Sequence, residues 1–171
     1  MGFVLLLGGA RSGKSDLACR LAAESGSDVT VIATATAGDP EMAARIDRHR
    51  GSRPAHWQTI EEPLDVAAAV KSCAGPRFLV VDCLTLWVSN LLGAGCSADG
   101  VIERAVSLAG ELAGRSGVVV SNEVGLGIVP ANEMARAYRD TLGTVNAEFA
   151  ARAERAVLMV AGRALELVPP H

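Results

Sequence analysis

FVLLLGGARSGKS, residues 3–15, runs five apolar residues into a glycine-rich turn that closes on a lysine and a serine. An unbroken apolar run of this length suits a strand buried on both faces, and the DLACRLAAE that follows suits a helix. The turn reads G-x-x-x-x-G-K-S, with Gly8 and Gly13 enclosing Gly9, Ala10, Arg11 and Ser12, and Lys14 and Ser15 next. This is the phosphate-cradling loop in the setting it requires, strand before and helix after. Its residue types follow from the chemistry. Glycines let backbone N–H groups converge on phosphate oxygens, Lys14 brings a positive charge to the terminal phosphates, and the Ser15 hydroxyl suits Mg²⁺. The chain has only two lysines, Lys14 and Lys71, so a lysine at this place is not the accident of a lysine-rich sequence.

Outward from the loop, similar apolar runs recur: VTVIATA at 29–35, RFLVVD at 77–82, GVVVSNE at 117–123 and AVLMVAG at 156–162, with QTIE at 58–61 as a short extra strand. Helical patterns separate them, at about 14–25, 40–50, 63–73, 84–92, 101–114 and 131–154. Buried strands alternating with helices predict an α/β chain, a P-loop fold of the RecA-like type in three layers, its mostly parallel sheet flanked by helices. Met134, Tyr138, Leu142, Val145 and Phe149 step by three or four and are expected to line the core. The GAGCSADG stretch at 93–100 is the one linker expected, VPPH ends the fold, and residues 1–171 are read as a single domain.

Composition sets limits. Half the residues are hydrophobic and 20% are charged, a globular balance, while a net charge of −3 and a pI near 5.6 oppose nucleic acid as a partner. Any anion site must be local. No apolar run approaches the roughly 20 residues of a membrane-spanning helix, and the start lacks the features of a secretory signal. Cys19, Cys73, Cys83 and Cys96 form no C-x-x-C pair and read as buried free thiols. A cytoplasmic protein is expected.

RFLVVD ends on Asp82, which either caps the next helix or holds a metal; beside a P-loop the metal role is preferred. Asp82 continues into Cys83, Leu84 and Thr85 rather than the D-x-x-G of a signalling GTPase, and no N-K-x-D segment occurs. A nucleotide switch is therefore disfavoured against a small-molecule kinase. RIDRHRGSR at 45–53 is less ordinary for a kinase, with four arginines around His49 and only Asp47 opposing them locally. Neighbouring cations disfavour a further positive charge, so a neutral, nucleophilic imidazole is expected there, suited to attack on a phosphate. A solvated basic helix face carrying an incidental histidine is the plainer alternative.

The strings GGARSGKS, EMAARIDRHRGSRPAHWQTIEEP, VVDCLTLWVSNLL and NEVGLGIVP, in this order and spacing, resemble the adenosylcobinamide kinase and adenosylcobinamide-phosphate guanylyltransferase family, of CobU/CobP type. The resemblance spans about 3–168, and only the first string is generic. It implies two successive reactions. ATP or GTP phosphorylates the aminopropanol hydroxyl of adenosylcobinamide; then GTP gives GMP to an enzyme histidine, which passes it to adenosylcobinamide phosphate. The resemblance implies that this histidine is His49, with Lys14 also catalytic. It implies a nucleotide site of Gly8, Gly9, Ala10, Arg11, Ser12, Gly13, Lys14, Ser15, Ala33, Thr34, Ala35, Arg50, Gly51, Ser52, Arg53, Glu61 and Asp82, with Mg²⁺ on Ser15 and Asp82. Glu61 would serve guanine or ribose, Glu123 a metal, a substrate or its own loop, and a homotrimer is implied. Trp57 and Trp87 are expected to pack rather than stack on a base. The competing readings are a P-loop kinase of another small molecule and a nucleotide-regulated binding protein.

Overall fold

The apolar runs become the strands of one seven-stranded sheet. It is seen in a computed structural model that describes residues 2–38, 40–51 and 53–170, without the side chains of Glu41, Met42, Arg45 and His49. The strands are β1 (Phe3–Gly8), β2 (Val29–Ala33), β3 (Gln58–Glu61), β4 (Phe78–Asp82), β5 (Gly117–Val120), β6 (Arg155–Val160) and β7 (Arg163–Leu167), in spatial order β3-β2-β4-β5-β1-β6-β7. All pairings are parallel except β6 with β7. The helices are α1 (Lys14–Glu24), α2 (Pro40–Gly51), α3 (Val66–Ser72), α4 (Leu84–Gly93), α5 (Ala98–Ala113) and α6 (Glu133–Arg152). One strand, β5, separates the strand that feeds the phosphate loop from the strand that ends in Asp82.

Alternation along each strand sends side chains to opposite faces. Phe3, Leu5, Ile32, Leu79, Val81 and Val119 pack with residues of α3, α4, α5 and α6, where the Phe3 and Phe149 rings meet edge to face at 5.9 Å. Leu6, Val31, Val80, Val118 and Val157 face the other way, onto Ala18 and Ala22 of α1 and the ring of Trp57. The first face carries four helices and the second a thinner cover, so free space next to the sheet is found on the α1 side.

The helices depart from expectation where caps decide. α5 begins at Ala98, inside the expected linker, because the Ser97 hydroxyl accepts from Gly100 N at 3.2 Å and Asp99 lies in the first turn. Ser97→Ala is expected to remove about 1 kcal/mol of stability, read as a melting midpoint lower by about 2–4 °C. α3 begins at Val66 rather than 63, since Glu62 accepts from Leu64 N and Asp65 N in a turn and Asp65 caps Ala68 N. Met134 is 80% exposed: the opening turns of α6 project past the core, and of its stripe only Leu142, Val145 and Phe149 are fully buried, with Tyr138 partly so. Of the four free thiols Cys73 is buried and Cys19, Cys83 and Cys96 are partly so.

β7 fills residues 163–167, where no element was expected, just ahead of the VPPH end. Ala161 and Gly162, with φ of 49° and 75°, form a two-residue turn that reverses β6 into a hairpin, and Arg155 and Glu166 pair across it. Every β7 residue is exposed, so the strand has no buried face to imprint a pattern on its sequence. Among the described residues, no helix is long and apolar enough to cross a membrane.

Candidate active site

The phosphate loop is shaped by two glycines. At Gly8, where φ is +148°, an added Cβ would stand 2.3 Å from the Met159 carbonyl oxygen of β6, a backbone atom that cannot give way. Gly13, at φ +96°, turns the chain into α1. The loop is pinned from outside, with Gly162 N donating to Ser12 O at 3.0 Å and Glu123 N to Gly8 O at 3.2 Å. Gly8→Ala is expected to lower stability by about 1–3 kcal/mol, because it overpacks against fixed backbone; a shift of the denaturant midpoint at constant slope measures it.

Lys14 opens α1 and is 7% exposed, its ammonium donating to Gly8 O at 2.8 Å and Gly9 O at 2.7 Å. The loop thus wraps its own carbonyls around a cation. Ser15 follows at the mouth, in the lining of two neighbouring cavities. One, of about 80 Å³, is bounded by Ser15, Ala33, Ala35, Arg50, Glu61 and Asp82. The other, of about 210 Å³, lies on the α1 side and adds Cys19, Arg48 and Trp57 to the shared Ser15, Arg53 and Asp82.

Asp82 ends β4, and Arg53 Nη2 donates to its Oδ2 at 2.9 Å, the two side chains being 22% and 10% exposed. Arg50 pairs with Glu61 at a more exposed position. These pairs correct the local charge reading of 45–53, because two of its arginines are met by carboxylates from β3 and β4. Thr34 is fully buried, and its hydroxyl is spent on the β4–α4 junction, donating to Cys83 O at 2.7 Å and accepting from Cys83 N at 2.8 Å. Its carbonyl accepts from Asn90 Nδ2 at 2.8 Å, so Thr34 offers this site little beyond holding β2 against β4. Burial, and next the Asp82 carboxylate, push the Cys83 thiol up, keeping it neutral. Glu123 turns its carboxylate onto Gly125 N, the geometry of a residue ordering its own loop.

Gly9, Ala10, Arg11, Ser12 and Gly13 lie in the loop as expected, and Gly51 ends α2. Position 49 is on the α2 backbone, while the His49 side chain and Ser52 lie outside the described residues. Ser15 and Asp82 supply one hydroxyl and one carboxylate at a common mouth, hard oxygen donors of the kind Mg²⁺ takes together with phosphates and water. Among the described residues no group of three or more His, Cys, Asp or Glu forms a cage of its own. The pair therefore fits an ion that arrives with a nucleotide. Trp87 packs at 1% exposure, its Nε1 donating to Leu64 O at 2.9 Å; Trp57, at 9%, packs and also walls the larger cavity. Sequence reasoning assigned no site role to Cys19, expected Trp57 to pack, and counted Arg48 only within the basic cluster around His49; the meeting of α1, α2 and the sheet brings the three to one cavity.

Residues 4–167 match the family model described as cobinamide kinase / cobinamide phosphate guanyltransferase. The chain is 54% identical over 166 residues to the bifunctional adenosylcobalamin biosynthesis protein CobP of Pseudomonas aeruginosa, with 95% of each chain covered. The proteins of the same description named CobU in Escherichia coli and Salmonella typhimurium are each 39% identical over 174 residues, covering 93% of this chain and 96% of theirs. A solved Pyrococcus horikoshii OT3 structure shares the fold with a TM-score of 0.56, at 9% identity, over 96% of this chain and 85% of that one.

Proposed function

The chain belongs to the cobinamide kinase / cobinamide phosphate guanyltransferase family, and from that premise we propose that one domain, residues 1–171, runs both reactions at the mouth shared by the two cavities. In the first, the aminopropanol hydroxyl of adenosylcobinamide attacks the γ phosphorus of ATP or GTP, and the nucleoside diphosphate leaves. Lys14 neutralises the terminal phosphates while the loop N–H groups hold them in line. In the second, an imidazole nitrogen of His49 attacks the α phosphorus of GTP and pyrophosphate leaves. The phosphate of adenosylcobinamide phosphate then attacks the same phosphorus, the P–N bond breaks, and adenosylcobinamide-GDP is released. Arg50 and Arg53 offset charge developing on the transferring group. Ser15 and Asp82 would hold Mg²⁺, which supplies Lewis-acid polarisation of the phosphoryl oxygens when bound. Ala33 and Ala35 wall the nucleoside side, with Glu61 directed to guanine or ribose. α2 is flanked by Gly38 and Pro40 at one end and Gly51 and Pro54 at the other, which allow it to reposition between the two steps. The protein acts as a cytoplasmic homotrimer, and free thiols at all four cysteines suit that compartment.

The observation that carries this reading is the convergence of Ser15, Arg53 and Asp82, from three separate parts of the chain, on one mouth beside the helix that bears position 49. The test is incubation of the protein with GTP labelled at the α phosphate, followed by denaturation. The expected result is a label stable to base and lost in acid, as a phosphoramidate is, that maps by mass spectrometry to the peptide containing residue 49. Turnover of adenosylcobinamide phosphate with no adduct at that residue would overturn it.

A further inference from the structure

The nucleotide site proposed above occupies the smaller cavity, and nothing in it says where the other substrate enters. We propose that the larger cavity, between α1 and the Trp57 ring, is the acceptor subsite, taking the short aliphatic arm of cobinamide that ends first in a hydroxyl and then in a phosphate. This rests on the reading of the chain as a cobinamide kinase and guanylyltransferase and extends it to the residues that hold the second substrate.

Three observations lead there. The first is position. Both cavities share Ser15, Arg53 and Asp82, so a group in either one reaches the same transferring phosphorus from a different side, as an in-line displacement between donor and acceptor requires. The second is lining. Ala18, Val31, Val80 and Trp57 give the larger cavity an apolar wall that suits a methyl-bearing aliphatic chain, while its rim carries Arg48 and the exposed Asp16. An arginine and a carboxylate at the rim can serve a hydroxyl as donor and acceptor. For the later phosphate, the Arg53 guanidinium, which pairs with Asp82 in the structure, would be free to join Arg48 in binding an anion if Asp82 held Mg²⁺ instead. At about 210 Å³ the cavity holds such an arm but not a corrin ring, which would remain outside.

The third is the arrangement of α2. Ile46 and Arg50 line the smaller cavity, and Arg48 lines the larger. At about 3.6 residues per turn, the backbone of position 49 falls in the angular gap between these two faces, on the side away from the exposed Ala44 and Asp47. A group taken up there from one cavity can be passed to the other. That is the order the two-step guanylyl transfer requires, with nucleotide on one side, acceptor on the other and the carrier position between them.

Equilibrium binding of adenosylcobinamide phosphate and, separately, of GTP to the full-length protein tests the assignment on Arg48→Ala and on Cys19→Phe, which fills the cavity. Losing a charge-assisted hydrogen bond to phosphate is expected to weaken adenosylcobinamide phosphate binding about tenfold to a hundredfold in Arg48→Ala, with a much smaller change for GTP. Should Cys19→Phe fail to fold, the exposed Arg48 position still gives an answer, and the wild-type Cys19 gives another. Adenosylcobinamide phosphate should slow the modification of Cys19 by N-ethylmaleimide. If wild-type protein carries the GTP-derived label, Arg48→Ala binds adenosylcobinamide phosphate as wild type does and Cys19 stays unprotected, the acceptor subsite is overturned and the enzymatic reading stands. If wild-type protein neither takes the label nor binds adenosylcobinamide phosphate, both fall together.

Discussion

His49→Ala is expected to cut guanylyl transfer by about 10⁴ to 10⁶ and to remove the acid-labile label altogether, while phosphorylation of adenosylcobinamide continues. The size follows from the role. A residue that forms the bond to the transferring phosphorus cannot be replaced by its neighbours, because arginines hold their protons and offer no lone pair. Alanine favours helix, so α2 keeps its backbone and a loss cannot be assigned to unfolding of that segment. Two assays on one preparation check it: kinase turnover with unlabelled ATP, and denaturation-stable label from GTP. Retention of the label in His49→Ala would move the nucleophile elsewhere and undo the proposed second reaction. Loss of both activities together would argue instead that residue 49 serves the common nucleotide site.

The phosphate loop and the strands that carry it could be read from the sequence because each is encoded by adjacent residues. Gly8 through Ser15 form one stretch, and β1, β4 and β5 are buried on both faces, so their apolar runs carry no polar interruption. The pairings that shape the site are not local. Arg53 and Asp82 stand 29 residues apart and Arg50 and Glu61 stand 11 apart, and neither pair leaves a trace in the spacing of its members. Local charge counting therefore made 45–53 more cationic than the folded surroundings leave it. Thr34 illustrates the same limit. At a strand end a threonine can face a ligand or tie two strands together, and only the proximity of Cys83 decides for the tie. β7 was missed for the opposite reason: an edge strand exposed along its length has no burial to write into its sequence, although the Gly162 turn before it was a usable signal.

Lys14→Ala should lower the kinase rate by about a hundredfold to a thousandfold, and guanylylation of His49 by distinctly less. The contrast rests on where charge develops. The ammonium donates to carbonyls of the loop; in the proposed reaction it would meet the terminal end of the triphosphate and oppose charge gathered at the β and γ phosphates, which is greatest when the γ phosphoryl group departs. Attack at the α phosphorus also releases charge toward pyrophosphate, but Arg50 and Arg53 line the smaller cavity and in the proposed reaction would carry part of that load. The fold should survive the change. Gly8 O keeps its bond from Glu123 N at 3.2 Å, and Gly9 is exposed to water, so truncation strands no buried carbonyl. Lys14→Arg is expected not to rescue, because the position is 7% exposed and its short contacts to two carbonyls, at 2.7–2.8 Å, suit a compact point charge rather than a planar guanidinium. Steady-state kinase rates and single-turnover labelling of the same variant separate the two steps; equal losses in both would show that Lys14 serves nucleotide binding as a whole rather than departure of the γ phosphoryl group.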